Sequence, residues 1–373
     1  MGIATLHPSY EPGFSSFLTR CHVVTCYNLP FTTRGPYRGH IQRREFITLI
    51  GGAAASTWSL AAHAQQSDKV RRIGVLMAHT ESDREFQAYL AAFREGLKRL
   101  GWTEGRNIQI DTRWGALEDA EVRQRSAKEL VALRPEIILT QNTPPTAAML
   151  QQTHTIPVIF VIVADPVGSG FVGSLARPSG NATGFTIMEP TTAGKWLELL
   201  KEIAPRVNRA ALLFNPKTAP YVDYYLSPFK AAAGSFGIEA ISAPVRDTAE
   251  LDSVIAAQAR EPNGGLIVIP DGFLNVHRAG IILQAARYNL PAVYPWRFFA
   301  EEGGLLSYGS EQRDIFRLAA SYVDRVLKGE MPSELPVQAP VKYELVINLK
   351  TAKALGLIVP PALLTRADTV IDE

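Results

Sequence analysis

Short apolar runs alternate with longer amphipathic stretches along most of this chain, and the series runs through twice. That alternation constrains the fold more than any other feature, because strand–helix repeats argue for α/β architecture with parallel sheets. The first series offers strands at IGVLMA (73–78), NIQIDTRW (107–114), EIILT (136–140) and IPVIFVIV (156–163). IGVLMA is apolar throughout, as in a strand buried on both faces. Between the strands, Phe86, Leu90, Phe93 and Leu97 fall at helical spacing, and Gly101 closes that helix. Further helices are predicted over 118–133 and from Pro144-Pro145. The second series restarts near Arg209, with strands AALLF (210–214), IEAIS (238–242), GLIVI (265–269) and PAVY (291–294). Helices are predicted over 219–236, 248–260 and 275–289. Two series predict two similar Rossmann-like lobes. The tail adds GLLSYGS (304–310), a helix over 311–328, a Pro-punctuated stretch (332–340), YELVINL (343–349) and a short helix over 350–355.

Composition narrows the function classes. Of 373 residues, 46% are hydrophobic and 20% charged, which is globular. With 38 Lys+Arg against 36 Asp+Glu there is no basic footprint for nucleic acid. No apolar run reaches the roughly 18 residues of a membrane span.

The amino terminus reads as an address. Residues 42–64, QRREFITLIGGAAASTWSLAAHA, place Arg43-Arg44 before an apolar stretch and an A-x-A site, with cleavage expected before Gln65. The pair resembles a twin-arginine signal, and an ordinary Sec signal is the alternative. No Cys follows the site, so no lipid anchor is expected. Residues 1–41 read as a leader outside the protein proper, with the true start downstream of Met1. Cys21 and Cys26 both fall there, so the mature chain would carry no disulfide and no thiolate site.

Catalytic motifs are weak. Residues 168–173 match G-x-G-x-x-G, but the run follows a fourth strand after Asp165-Pro166. Its helix could be only about two turns long before 177–180 stop it, so a nucleotide site is not expected. His79, His154 and His277 show no metal-ligand spacing. There is no G-x-S-x-G elbow. No catalytic residue, metal or cofactor is therefore assigned. What remains is polar residues at strand ends, where open α/β sheets bind ligands. In the first lobe these are His79, Thr80, Trp114, Gln141, Asn142, Thr143 and Asp165. In the second they are Asn215 and Asp271, with Tyr294 and Trp296 beside them and Tyr308 near a crossing. Free N–H groups at the helix start near Thr143 could hold a carboxylate. Asp165 or Asp271 could hold an ammonium group, and Trp114 or Tyr308 could cover an apolar side chain. Each also has a plainer role as cap, turn or core residue.

Several stretches together resemble a known family: RRIGVLMA (71–78), GWTEGRNIQIDTRW (101–114), DPVGSGFVGSLARPSGNATG (165–184), EGGLLSYG (302–309) and KYELVINLKTAKALGL (342–357). They resemble the periplasmic substrate-binding proteins of ABC transporters, in the tryptophan- and tyrosine-binder branch with a type I periplasmic fold. The resemblance spans about 71–361. It implies two lobes joined by three crossings, near 183–188, 306–309 and 331–336. The lobes would be 71–184 plus 309–332 and 188–306 plus 336–373. It also implies a pocket built from 77–80, Gln141, Asn142, Thr143, Asp165, Asp271 and Tyr308. The partners implied are a small organic ligand and an inner-membrane permease, for a monomer in the periplasm. Amino-acid binders of this kind often carry small hydroxyl residues where this chain has His79 and Gln141. The ligand is thus an amino acid, a related compound or another small solute. An exported ligand sensor and an exported α/β enzyme are the rival readings.

Overall fold

The computed structural model describes residues 70–372, Ala116 and Glu118 excepted. The expected leader, the signal stretch and both cysteines lie outside the described residues.

The first sheet is built from β1 (Arg71–Leu76), β2 (Ile108–Arg113), β3 (Ile137–Gln141), β4 (Val158–Val163) and β5 (Ala182–Thr186), in the order β2-β1-β3-β4-β5. All its pairings are parallel. Every residue of β4, VIFVIV, is buried, as a strand covered on both faces requires. Helices α1 (Arg84–Arg99), α2 (Ala120–Ala132) and α3 (Thr143–Gln152) connect the strands. Asp83 caps α1 by accepting from Glu85 N–H at 3.0 Å. The buried stripe of α1 is Phe86, Tyr89, Leu90, Phe93 and Leu97. Each such side chain contributes about 1.5–3 kcal/mol through burial.

The second sheet carries seven strands. After α4 (Thr192–Ile203) come β6 (Arg209–Phe214), α5 (Val222–Phe236), β7 (Glu239–Pro244), α6 (Thr248–Ala259) and β8 (Gly264–Val268). Then follow α7 (Gly272–Val276), α8 (Arg278–Arg287), β9 (Ala292–Tyr294), α9 (Arg297–Glu301) and β10 (Leu306–Ser310). The helix expected over 275–289 is thus two helices broken at His277. The next helix, α10 (Gln312–Leu327), leaves this sheet and packs on α1. A Cβ on Gly96 would meet that of Ala320 at 2.8 Å, and Trp102 Nε1 donates to Asp324 at 2.8 Å. The chain returns through β11 (Tyr343–Asn348), α11 (Leu349–Ala354), α12 (Pro361–Arg366) and β12 (Thr369–Ile371). The order is β12-β11-β10-β9-β8-β6-β7, parallel except where β11 meets β10.

The crossings fall a few residues later than the sequence suggested. The first crossing was expected over 183–188, yet residues up to Thr186 are strand, and Ile187 N–H still bonds Val163 O of the first sheet. The second sheet keeps β10 to Ser310. Gln338 exchanges backbone bonds with Gly184 and Thr186, so the last segment stays on the first sheet beyond residue 336. The passages are therefore about 187–191, 310–312 and 339–342. The common reason is backbone satisfaction: edge N–H and C=O groups extend each ladder until no partner remains.

Candidate functional site

The strand ends of the two sheets face each other. Leu117, past the end of β2, packs on Gly272 at the start of α7, where a Cβ would lie 2.2 Å from Leu117 Cδ2. Asp83, before α1, pairs with Arg278 of α8 at 3.2 Å. Arg278 also binds Glu302 at 2.7 Å and lies over the Phe298 ring. These contacts join the two lobes.

A cavity of about 380 Å³ opens between them, with Thr143, Asp165 and Phe171 on the first lobe and Tyr221 and Tyr224 on the second. A bulge positions Asp165: the β4–β5 register shifts between Phe160 and Val163, and Ile162 takes φ +59°. Such a bulge re-aims the chain leaving the strand. Asp165 Oδ1 accepts from Gly168 N–H at 2.7 Å. A Cβ at 168 would lie 2.0 Å from Asp165 Oδ2, so the first glycine of the G-x-G-x-x-G run makes room for this carboxylate. The run itself forms turns and not the short helix expected of it. Tyr221 OH donates to Pro270 O at 2.6 Å, which fixes the aromatic wall. Burial, and then the nearby Asp165 charge, pushes the Tyr224 hydroxyl up to about 12.

The start of α3 corrects one expectation. Thr143 N–H is taken by Asn142 Oδ1 at 2.7 Å, positions 144 and 145 are prolines, and Thr146 N–H bonds Asn142 O. The first N–H groups of this helix are thus capped or missing, and they offer nothing to a carboxylate. Thr143 Oγ1 accepts from Ala164 N–H at 3.4 Å, so its own hydrogen is the donor it can offer.

The other expected residues divide by how their polar atoms are used. Gln141 Oε1 accepts from Ala78 N–H at 3.0 Å, tying β3 to β1. Asn215 bonds within its own loop and to Arg246 O. Asp271 accepts from Asn215 N–H, Thr218 Oγ1 and Phe273 N–H. Burial raises its carboxyl to about 6 against the pull of those bonds. Trp114 packs half-buried on the core. Tyr308 stacks on Tyr343 at 5.6 Å and lines neither the cavity beside Asp165 nor the one beside His79. His79 and Thr80 line a separate interlobe cavity of about 570 Å³ with Arg278 and Phe298. His79 is 3% exposed, stacks on Phe86 at 3.5 Å, and Nε2 has no partner among the described residues. Burial, and then the Arg278 charge, lowers its imidazole to about 3, so it is neutral.

Sequence reasoning therefore missed Tyr221, Tyr224, Phe171 and Arg278. The aromatic run Tyr221, Tyr224, Tyr225 just past a strand end was the one available signal, and it reads equally as a helix stripe. Among the described residues no group of three or more His, Cys, Asp and Glu is placed to hold a metal ion, and no helix is long and apolar enough to cross a membrane.

Comparison with known proteins agrees with this architecture. A family model described as ABC transporter substrate binding protein matches residues 74–371. A tyrosine-binding protein of Clostridioides difficile (strain R20291) is 24% identical over 317 residues, covering 83% of this chain and 89% of that protein. A Streptococcus pneumonia ABC domain solved with L-Trp is 25% identical with a TM-score of 0.74, covering 81% of this chain and all of that one. A conserved domain protein from Vibrio cholerae is 29% identical with a TM-score of 0.75, over 81% of this chain and all of that one. These neighbours carry the type I periplasmic-binding fold of two parallel-sheet lobes.

Proposed function

The chain belongs to the ABC transporter substrate-binding protein family, and we propose that it captures an aromatic or related amino acid between its lobes and delivers it to an inner-membrane permease. The observation that carries the ligand reading is the 380 Å³ cavity, where Asp165 and Thr143 of one lobe face Tyr221 and Tyr224 of the other. Its size lies within the roughly 300–1,000 Å³ of small-molecule sites. Asp165 takes the ammonium group through a charge-assisted bond, Thr143 donates to the carboxylate, and Phe171 with the tyrosines covers the side chain. The tyrosine-binding relative and the L-Trp complex support this ligand class. The lobes hinge at the three passages, and Asp83–Arg278 and Leu117–Gly272 form on closure. The signal-like stretch 42–64 supports export to the periplasm, with Gln65 as the mature amino terminus. The role is binding and release, and it asks for no catalytic group.

Titration calorimetry of the chain with L-tryptophan and L-tyrosine tests the reading. Saturable binding is expected, with Asp165→Asn weakening it about 10- to 100-fold. At 100 times the dissociation constant the ligand should add about 2.7 kcal/mol of stability. Absence of binding by any α-amino acid, or an Asp165→Asn variant that binds unchanged, would overturn it.

A further inference from the structure

A cavity of about 290 Å³ lies at the passage from β10 to α10, where Gly309, Ser310 and Glu311 line it. Tyr89 of α1 and Gln312 of α10 line it from the first lobe, and Trp296 and Arg297 from the second. Two of these side chains are buried with a polar atom unused. Trp296 is 3% exposed and Gln312 4%, and neither Trp296 Nε1 nor Gln312 Oε1 has a hydrogen-bond partner among the described residues. Such orphans are uncommon in folded proteins, and each calls for a partner. The indole nitrogen can only donate, and the amide oxygen can only accept. Beside them α10 begins without a side-chain cap, which leaves first-turn N–H groups for an acceptor.

The charges on the wall are already matched. Arg297 pairs with Glu301 at 2.8 Å and with Glu344 at 3.1 Å, Arg313 pairs with Glu85 at 3.2 Å, and Glu311 pairs with Lys342. Every carboxylate lining the cavity thus holds a cation, and both lining guanidinium groups hold carboxylates. An ammonium group or a carboxylate entering there would give up its hydration and meet no free countercharge. A neutral molecule escapes that cost. A hydroxyl group both donates and accepts, so adjacent hydroxyls match a lone donor beside a lone acceptor.

We infer that this cavity is a second binding site, for a small neutral polyhydroxy compound, separate from the site beside Asp165. One hydroxyl oxygen accepts from Trp296 Nε1, a neighbouring hydroxyl donates to Gln312 Oε1, and the carbon skeleton lies against the Trp296 and Tyr89 rings. Because both lobes line the cavity, an occupant favours the arrangement in which they meet. The inference holds whatever the cavity beside Asp165 takes.

The indole N–H signal of Trp296 in a proton–nitrogen correlation spectrum of the chain, identified by its absence in Trp296→Phe, reports on this site. Titration with D-glucose, D-mannitol and myo-inositol is expected to move that signal saturably for at least one of them. Gln312→Met keeps the side-chain length and removes the acceptor, and should weaken binding of that compound about 3- to 10-fold by calorimetry. L-Tryptophan should not displace it. No movement of the Trp296 signal with any of the three at up to about 0.1 M, leaving a cavity that holds water only, would overturn the site. So would unchanged affinity in Gln312→Met, or displacement by L-tryptophan, which would put the polyol beside Asp165 instead. Should Gln312→Met fail to fold, the signal of the parent still decides. None of these outcomes bears on whether amino acids bind, which their own titration answers.

Discussion

Each lobe places an aspartate just past a buried parallel strand, and the two carboxylates meet different fates. Asp165, after β4, gives one oxygen to Gly168 N–H and stays half-buried at the wall of the interlobe cavity. Asp271, after β8, is 1% exposed and accepts from Asn215, Thr218 and Phe273. The first can meet a ligand, and the second holds together the loops that carry Tyr221 and Lys217. A strand-end carboxylate can thus meet a ligand only when the loops around it leave its lone pairs free. Around Asp165, in its Asp-Pro turn, they do; around Asp271, the loop at 215–218 takes them.

The sharpest way to break the parallel between the lobes is at the glycines of their edge and crossing strands. A Cβ at Gly184 in β5 would lie 1.9 Å from Phe160 O, and one at Gly309 in β10 would lie 1.9 Å from Pro295 O. Each contact is to backbone of a neighbouring segment, which cannot rotate away. Gly184→Ala and Gly309→Ala should each cost about 3 kcal/mol in denaturant unfolding. If the lobes are equivalent in this respect the two losses should match.

Acid titration sharpens the difference between the lobes. His79 in the first is lowered to about 3, so its contribution is present above the unfolded value of 6.5 and is lost as pH falls through to 3. Asp271 in the second is raised to about 6, so its contribution is present below the unfolded 3.8 and is lost as pH rises through 6. Between about pH 4 and 6 the two oppose each other, each with a slope of up to about 1.4 kcal/mol per pH unit. Relative to the parent, His79→Gln should lose stability as pH rises through that window. Asp271→Asn should be less stable overall but gain stability over the same range. Melting temperatures from pH 4 to 7 check both signs.

A smaller effect is expected where the lobes touch. Asp83 caps α1 with Oδ1 and pairs with Arg278 through Oδ2. Asparagine caps as well as aspartate but carries no charge. Asp83→Asn should therefore leave the melting temperature within a degree or two and lower ligand affinity about fivefold, as a partly exposed ion pair of about 1 kcal/mol would. Asp83→Ala should add a stability loss of about 1 kcal/mol from the missing cap. The smallest effect belongs to the outer helix faces. Removing the charge from Glu95, paired with Arg99, or from Glu250, paired with Arg246, should change stability by under ~0.5 kcal/mol in either lobe.

Much of the fold was legible because its causes are local. Apolar runs such as VIFVIV and the Phe86–Leu97 spacing report burial directly. The strands missed were β5, whose residues ATGFT carry a glycine and two threonines, and the three-residue β12; both are edge strands. β5 is buried throughout and bonds Gln338 on its outer side, so it is hidden in the sequence by its glycine and threonines, and β12 by its length of three residues. The site was less legible. The residues expected in one pocket are divided: Thr143 and Asp165 line one cavity, and His79 and Thr80 line another. Gln141, Asn142, Asn215 and Asp271 are engaged by backbone N–H groups of the protein: Ala78, Thr143, Lys217 and Asn215 in turn.

The sequence by itself determined the two rounds of strand and helix, the burial of their apolar faces, and the placing of polar residues at the strand ends. It did so because periodicity and burial are properties of adjacent residues. Only the tertiary structure decided which of those polar atoms remain for a ligand. That depends on partners far away in the chain: Asp271 meets Thr218, 53 residues before it, and Arg278 meets Asp83, 195 residues before it. A hydrogen bond or an ion pair acts over a few ångströms, so the choice is made only when folding brings those loops to the same edge.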